Sequence, residues 1–397
     1  MRMVSGVLAL SMAAATGAVQ AQNVADSISQ ALKEGTAEAN LRYRYEYVNQ
    51  EDAGKESHAS TLRSRLTWTS GTAHGVRGRL EVDNVSSIGT ERYNSTVNGK
   101  PLYAAVPDPV GTDINQAWLS YTVDQAELTY GRQRINHGNQ RFLGGVGWRQ
   151  NEQTYDAARI TAKPMDGVTL DYSYIWRVHT IFGADSPNAR RDGDIHAFLG
   201  TWAVAPGHTL AAYGYLMDFD DFVALSNVTY GVDYRGRWAD LVDVQLAVAQ
   251  QSDTGDSPKD YDALYYLASV AGNLGPVRAL LGYEVLGSDS GDAAFITPLA
   301  TLHAFQGFTD KFLATPDDGI RNLYLTLSGK VGAVGLSAGY HQFKADNGGA
   351  DYGDEINVTV TVPVMSNVSA MLKAARYNAD DFGADTDKVW LMLTAGF

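Results

Sequence analysis

The stretch Asp387–Phe397, DKVWLMLTAGF, decides the fold. Val389, Leu391, Leu393, Ala395 and Phe397 share one face. Lys388, Trp390, Met392, Thr394 and Gly396 share the other. A period of two is a strand with unlike surroundings on its two sides. The split recurs upstream. Val168, Leu170, Tyr172, Tyr174 and Trp176 oppose Thr169, Asp171, Ser173 and Arg177; Val228, Tyr230, Val232 and Tyr234 oppose Thr229, Asp233 and Arg235; Ile356, Val358, Val360 and Val362 oppose Asn357, Thr359 and Thr361.

Eighteen such segments can be counted. They centre on 38–48, 60–70, 75–84, 114–123, 126–135, 154–163, 167–178, 194–204, 208–217, 227–238, 240–251, 261–271, 276–286, 321–330, 333–343, 354–363, 367–377 and 387–397. Their connectors alternate. Eight are short, around GTAHG, VDQA, KPMDG, APGH, WADL, NLGP, VGAV and VMSN, and nine are longer. Tight turns on one side and long loops on the other are the pattern of an up-and-down outer-membrane β-barrel of about 18 strands. Within a bilayer every backbone polar group must be paired, so a spanning sheet closes on itself. Closure turns the apolar face toward lipid and the polar face inward. A soluble β-sandwich or β-helix predicts the same alternation but not the length rhythm.

The N-terminus agrees. MRMVSGVLALSMAAATGAVQAQ has a basic start at Arg2, an apolar run and a small-residue cleavage site after Ala21. It reads as a Sec-type signal peptide over 1–21. A short helix, placed in the periplasm, is expected over 22–36, from the helical spacing of Val24, Ile28, Ala31 and Leu32 and the stop at Gly35. The barrel then fills 37–397 as one domain, with outer-membrane lipid and lipopolysaccharide as its surroundings. A terminal aromatic such as Phe397 resembles the signal read by the barrel assembly machinery. The formal charge of −14, or −15 once Arg2 leaves with the signal, argues against nucleic acid. The chain contains no cysteine, so disulfides and cysteine-based metal sites are excluded.

The inward faces of the first strands are basic. LRYRYEY (Leu41–Tyr47) puts Arg42, Arg44 and Glu46 opposite Leu41, Tyr43, Tyr45 and Tyr47. The next strand supplies Arg63 and Arg65, and the third supplies Arg77 and Arg79 with Glu81 and Asp83. Guanidinium is always charged and grips carboxylates with a planar fork, so such a ladder concentrates anions along a lumen. The alternative is that these arginines brace the wall against Glu46, Glu81, Asp83 and Asp156. Arginine outnumbers the nearby inward acids, which weighs toward an anion path. In YGRQRINHGNQRFLGGVGWRQNEQTYDAARI (Tyr130–Ile160), strict alternation puts Arg132 and Arg134 on the lipid side. Either Gly131 resets the phase or these arginines lie at the rim. The glycines that follow, around Arg141 and Arg149, fit a loop folded back into the lumen, and Arg159 is inward.

Together with SISQALKEG, NLRYRYEYV and ITPLATLHAFQGFTDKF (Ile296–Phe312), that segment resembles the alginate export family of outer-membrane barrels, from about Asp26 to Phe397. The resemblance implies a monomeric 18-stranded barrel passing an alginate-like polyuronate through an arginine-rich constriction. It gives Arg42, Arg44, Arg63, Arg65, Arg77, Arg79, Arg132, Arg134, Arg141, Arg149 and Arg159 the role of selectivity residues, with Asp156 as their acidic counterpart. The expected function is passive, electrostatically guided passage of an anionic saccharide. The alternatives are a general or other-substrate porin, for neutral sugars or aromatic acids, and a barrel hydrolase. The eight histidines are scattered, with no HExxH or GxSxG, and no nucleotide-binding motif is present, so no enzyme and no cofactor are expected. The aspartate-rich stretches NADDFGADTDK and ADNGGADYGDE are candidates for Ca2+, though neither has EF-hand spacing.

Overall fold

The computed structural model describes residues 23–397. The expected signal peptide lies outside the described residues. A helix covers 23–33. Eighteen antiparallel strands follow and form one closed sheet. With the barrel strands numbered in chain order, those that build the site are β1 (Thr36–Gln50), β2 (Ser57–Thr69), β3 (Val76–Ser87), β4 (Gly111–Val123), β5 (Ala126–Gln133), β6 (Thr154–Met165) and β7 (Val168–His179). Opposite them stand β13 (Val277–Leu286), β16 (Asp351–Met365), β17 (Val368–Ala379) and β18 (Thr386–Gly396). All 18 expected strands are present, and their ends lie within four residues of the expected ones. Closure joins β1 to β18, from Asn40 opposite Gly396 to Gln50 opposite Thr386. No strand is left as an edge, which removes unpaired backbone from the wall.

The expected phase holds. Leu66, Leu119, Val232, Leu246, Ile356, Leu372, Leu391 and Leu393 are exposed on the outside. Arg42, Arg44, Glu46, Arg63, Glu81, Asp83, Lys373 and Lys388 are buried on the inside. Tyrosines stand on the outer face: Tyr45 and Tyr172 hold the ring nitrogens of His58 and His196 at 2.7 and 2.8 Å. Such rings present an apolar body and a polar tip to a membrane interface. The helix sits at the short-turn end, where the Gly71 amide donates to the Ala31 carbonyl at 2.8 Å.

The three longest loops, 88–110, 134–153 and 287–319, turn inward. Loop 88–110 buries Tyr93 and Val106 against Val48 and Ala59 of the wall. Loops 134–153 and 287–319 are stitched together: Leu143 bridges Leu299, Gly144 donates to the Leu299 carbonyl and Thr301 to that of Gln140, both at 2.9 Å. The lumen is therefore filled at mid-height by chain from its own loops.

Candidate functional site

The site is the lumen between the first and last strands, where loop 134–153 meets the wall. Arg42 does not point into open water. Its Nε donates to Gln150 Oε1 at 3.0 Å, Nη1 to the Gly147 carbonyl at 2.9 Å and Nη2 to the Arg149 carbonyl. Arg44 Nη1 donates to the Trp148 carbonyl at 2.5 Å, its guanidinium lies 4.3 Å from the Trp148 ring centre, and Nη2 is 3.1 Å from Glu46. Two neighbouring arginines of β1 thus grip four consecutive loop residues. With 8 % and 1 % of their surface exposed, both are covered by the loop they hold.

From the loop side, Arg149 reaches back to Glu46 at 3.0 Å and to Asp310 of loop 287–319 at 3.2 Å. Asp310 also accepts from Lys388 at 2.9 Å and from His303 Nδ1 at 2.7 Å. Lys373 donates to His303 Nε2 at 2.7 Å, and the His303 ring stacks on Trp148 at 4.2 Å. The pattern is self-consistent for a neutral His303, whose ionisation burial lowers to about 3. Burial alone would raise the Asp310 carboxyl, but His303 and Lys388 outweigh it and hold it well below the usual range.

A second cluster lies nearer the short-turn end. Arg65 makes a forked pair with Asp83, both contacts 2.6 Å, and reaches Glu152 at 2.9 Å. Arg63 lies 3.5 Å from Glu152, and Arg134 bridges Glu152 and Glu81. Burial pushes the Glu152 carboxyl up, yet Arg134 and Arg65 more than offset this and hold it at about 2. Arg141 pairs with Glu284 of β13 at 2.8 Å and touches Thr297, tying loop 134–153 to the far wall. Arg159 forks onto Asp171 of β7. Glu355 of β16 takes the backbone amides of Phe308 and Thr309 at 2.5 and 3.0 Å. Gly307 permits that approach: its φ is +83°, and a Cβ there would lie 2.4 Å from Glu355 Oε2.

Acids reach the early-strand arginines from loops as well as from strands: Asp108 lies 3.7 Å from Arg44, and Glu152 lies 3.5 and 2.9 Å from Arg63 and Arg65, a signal invisible in strand phase. For Arg132 the structure decides between the two expected placements. The ladder runs without a break from Tyr130 opposite Ala158, through Gly131 opposite Ala157, to Arg132 opposite Asp156. Gly131 therefore does not reset the phase. With φ at +118° and an added Cβ only 2.4 Å from the Ala117 carbonyl, it serves a tight crossing instead. Arg132 keeps the outward phase of Leu128 and Tyr130. It pairs with Asp156 at 3.0 Å at the loop-side rim, and His179 takes the other carboxylate oxygen at 2.8 Å. At that rim Arg132 lines a cavity together with Asp83, Asn115 and Glu152. Arg134, beyond the strand, turns inward.

Several cations have no carboxylate within ion-pair distance among the described residues, Arg42 and Lys373 in mid-lumen and Arg77, Arg79, Arg191 and Lys311 toward the two mouths among them. Arg77 and Arg79 face inward near the short turns, Arg79 bonded only to Thr69 Oγ1 at 3.0 Å and lying over the Trp118 ring. Arg191 and Lys311 line a cavity of about 610 Å³ on the loop side, with Arg149 and Lys388 at its floor. Burial lowers the Lys311 ammonium to about 8. Among the described residues, no three His, Asp or Glu side chains gather into a metal-binding group. Several loop aspartates are engaged within the chain, as Asp346 is with Arg321 at 2.8 Å.

Residues 35–217 match the alginate export family. Comparison with curated proteins gives no match. Among solved structures, Acinetobacter baumannii OccAB4 superposes with a TM-score of 0.73 at 12% identity, over 92% of this chain and 98% of that one. Pseudomonas aeruginosa OccK3 (OpdO) gives 0.70 at 14%, over 93% and 97%. Pseudomonas aeruginosa OpdK with vanillate gives 0.71 at 15%, over 92% and 99%. At such identities these likenesses establish the barrel alone. This chain is a closed 18-stranded barrel of the outer-membrane porin type that carries the alginate export family's pattern over residues 35–217.

Proposed function

We propose that this protein is a passive outer-membrane channel for small anionic solutes, uronates among them, whose central constriction is built from its own folded-in loops. The observation that carries this reading is the distribution of unpaired charge. In mid-lumen Arg44, Arg63, Arg65, Arg149 and Lys388 are matched to acids, and Arg42 and Lys373 are held by loop carbonyls, Gln150 and His303, whereas Arg191 and Lys311 at the loop side and Arg77 and Arg79 at the opposite end have no carboxylate partner among the described residues. Unpaired cations at both mouths raise local anion concentration without trapping the ion, and conduction needs binding that is favourable but exchangeable. The paired arginines contribute differently: they fix the loops that set the width. Closure of the sheet within one chain supports a monomeric channel. The family match favours uronates as the saccharide class, and the loop-filled lumen favours monomers and short oligomers over a bulky polymer.

The test is conductance in planar bilayers under a salt gradient. A reversal potential of the anion-selective sign, with current reduced by added glucuronate, is expected. Cation selectivity would overturn the reading.

A further inference from the structure

We infer that the N-terminal helix, residues 23–33, lies on the periplasmic leaflet of the outer membrane, with Val24, Ile28 and Leu32 against lipid. The inference concerns the surface on which the barrel's first element rests. It holds whatever solute the lumen passes.

The helix has two unlike sides. Val24, Ile28 and Leu32 follow one another at intervals of four, so they line one side with a drift of only about 40° per step. They are 45%, 48% and 55% exposed. Asp26, Gln30 and Lys33 lie on the opposite side, and the Gln30 amide donates to the Glu34 carboxylate one turn on at 2.8 Å. A single exposed apolar side chain is ordinary. An aligned stripe of them, divided from a polar side, is the pattern of a helix lying in a membrane interface.

The place of the helix says which medium covers the stripe. Ala31, 6% exposed, is covered by the turn between β2 and β3, where the Gly71 amide donates to its carbonyl at 2.8 Å. The chain then enters β1 beside Trp68: a Cβ on Gly35 would lie 2.6 Å from Trp68 Nε1. Trp68 stands opposite Leu80 and shares the outward phase of Leu66, which is 66% exposed. Val76, Leu119 and Tyr121 are exposed on the same corner of the outer wall. On the helix, Gly71 sits between Ala31 and Glu34. The apolar stripe begins on the other flank of Ala31, the flank from which the chain leaves toward Gly35 and Trp68. The stripe therefore continues the lipid-facing belt of the barrel. Little intrinsic affinity is needed, because the barrel already holds the helix at the interface and makes its contact with lipid intramolecular. Covering the three side chains with acyl chain removes apolar surface from water.

The chain has no cysteine, so single cysteines can carry spin labels without other changes. Ile28→Cys, Leu32→Cys, Ser29→Cys and Lys33→Cys would each be labelled in the whole barrel and reconstituted in vesicles of phosphatidylethanolamine and phosphatidylglycerol. Collisions with oxygen, which concentrates in lipid, are compared with collisions with a water-soluble nickel chelate. Leu66→Cys supplies the lipid reference. The oxygen-to-nickel ratio at positions 28 and 32 should approach that at 66 and exceed that at 29 and 33 about fivefold. Equal ratios on the two sides of the helix would overturn the inference. Few collisions with either reagent at 28 and 32 would also overturn it, since that is the sign of a protein cover. So would spectral broadening at 28 that disappears when labelled barrels are diluted with unlabelled ones, which assigns the stripe to a second copy of the chain.

Discussion

The two sides of the lumen hold the same two loops by different physics. On the side of β1–β3 and β16–β18, the contacts are charged or polar: Arg42 and Arg44 on the carbonyls of Gly147, Trp148 and Arg149, Arg149 on Glu46, and Lys388 and His303 on Asp310. On the opposite side the contacts are apolar. Ile175, Ile195, Tyr213, Tyr215, Tyr265 and Leu286 of the wall pack against Ile135, Leu143, Phe295 and Leu299 of the loops. Phe142 meets Tyr265 edge-on at 5.2 Å and Tyr213 at 5.1 Å. Apolar packing is non-directional and tolerates small shifts, whereas a buried ion pair demands its geometry and penalises loss of one partner. The comparison teaches that the arginine-rich side sets the position of the loops, and the aromatic side supplies their adhesion.

The strongest way to break this contrast is to remove one partner on the charged side. Arg149→Ala leaves Glu46, Asp108 and Asp310 buried without their shared cation. About 3–5 kcal/mol of local stability should be lost, seen as rapid hydrogen exchange across residues 134–153 and as noisy, enlarged single-channel currents. On the apolar side, Leu143→Ala should cost about 2–3 kcal/mol, near the lower end of core truncations, and leave ion selectivity unchanged; a change in selectivity would mean that the two sides are not separable. Arg77→Ser with Arg79→Ser should lower anion preference about two- to threefold at low salt while leaving loop protection intact. The difference should vanish near 1 M salt, where the screening length falls to about 3 Å. The smallest effect concerns pH. Lys311 is charged below about 8 and neutral above it. Anion preference should therefore decline modestly as pH rises through 8, and Lys311→Gln should flatten that step. A decline that persists in the variant would assign it to another group.

Much of the wall was legible. A two-residue period carried over 18 segments needs only local chemistry, because each side chain's face follows from its place in the pleat. The inward placement of Arg42, Arg63 and Arg65 followed from that phase, as did the idea that the segment around Arg141 and Arg149 folds into the lumen. What strand phase could not reveal was partnership. Glu152 lies in the quoted loop, and Asp310 in GFTDKF, yet nothing local says that they meet Arg65 and Arg149. Arg132 was ambiguous because a glycine at a strand end serves equally as a bulge or as a tight crossing, and only the ladder opposite Asp156 distinguishes them.

The sequence by itself determined the barrel: its strand number, its lipid-facing surface, and the line of arginines on its inner wall. These depend on alternation and turn spacing, which are written along the chain. The tertiary structure alone decided what those arginines do. Arg42 meets Gln150, Arg141 meets Glu284 and Arg149 meets Asp310, at separations of 108, 143 and 161 residues. Such pairs form only when long loops fold into the barrel that encloses them. The cost of leaving either partner buried alone then fixes the loops in place.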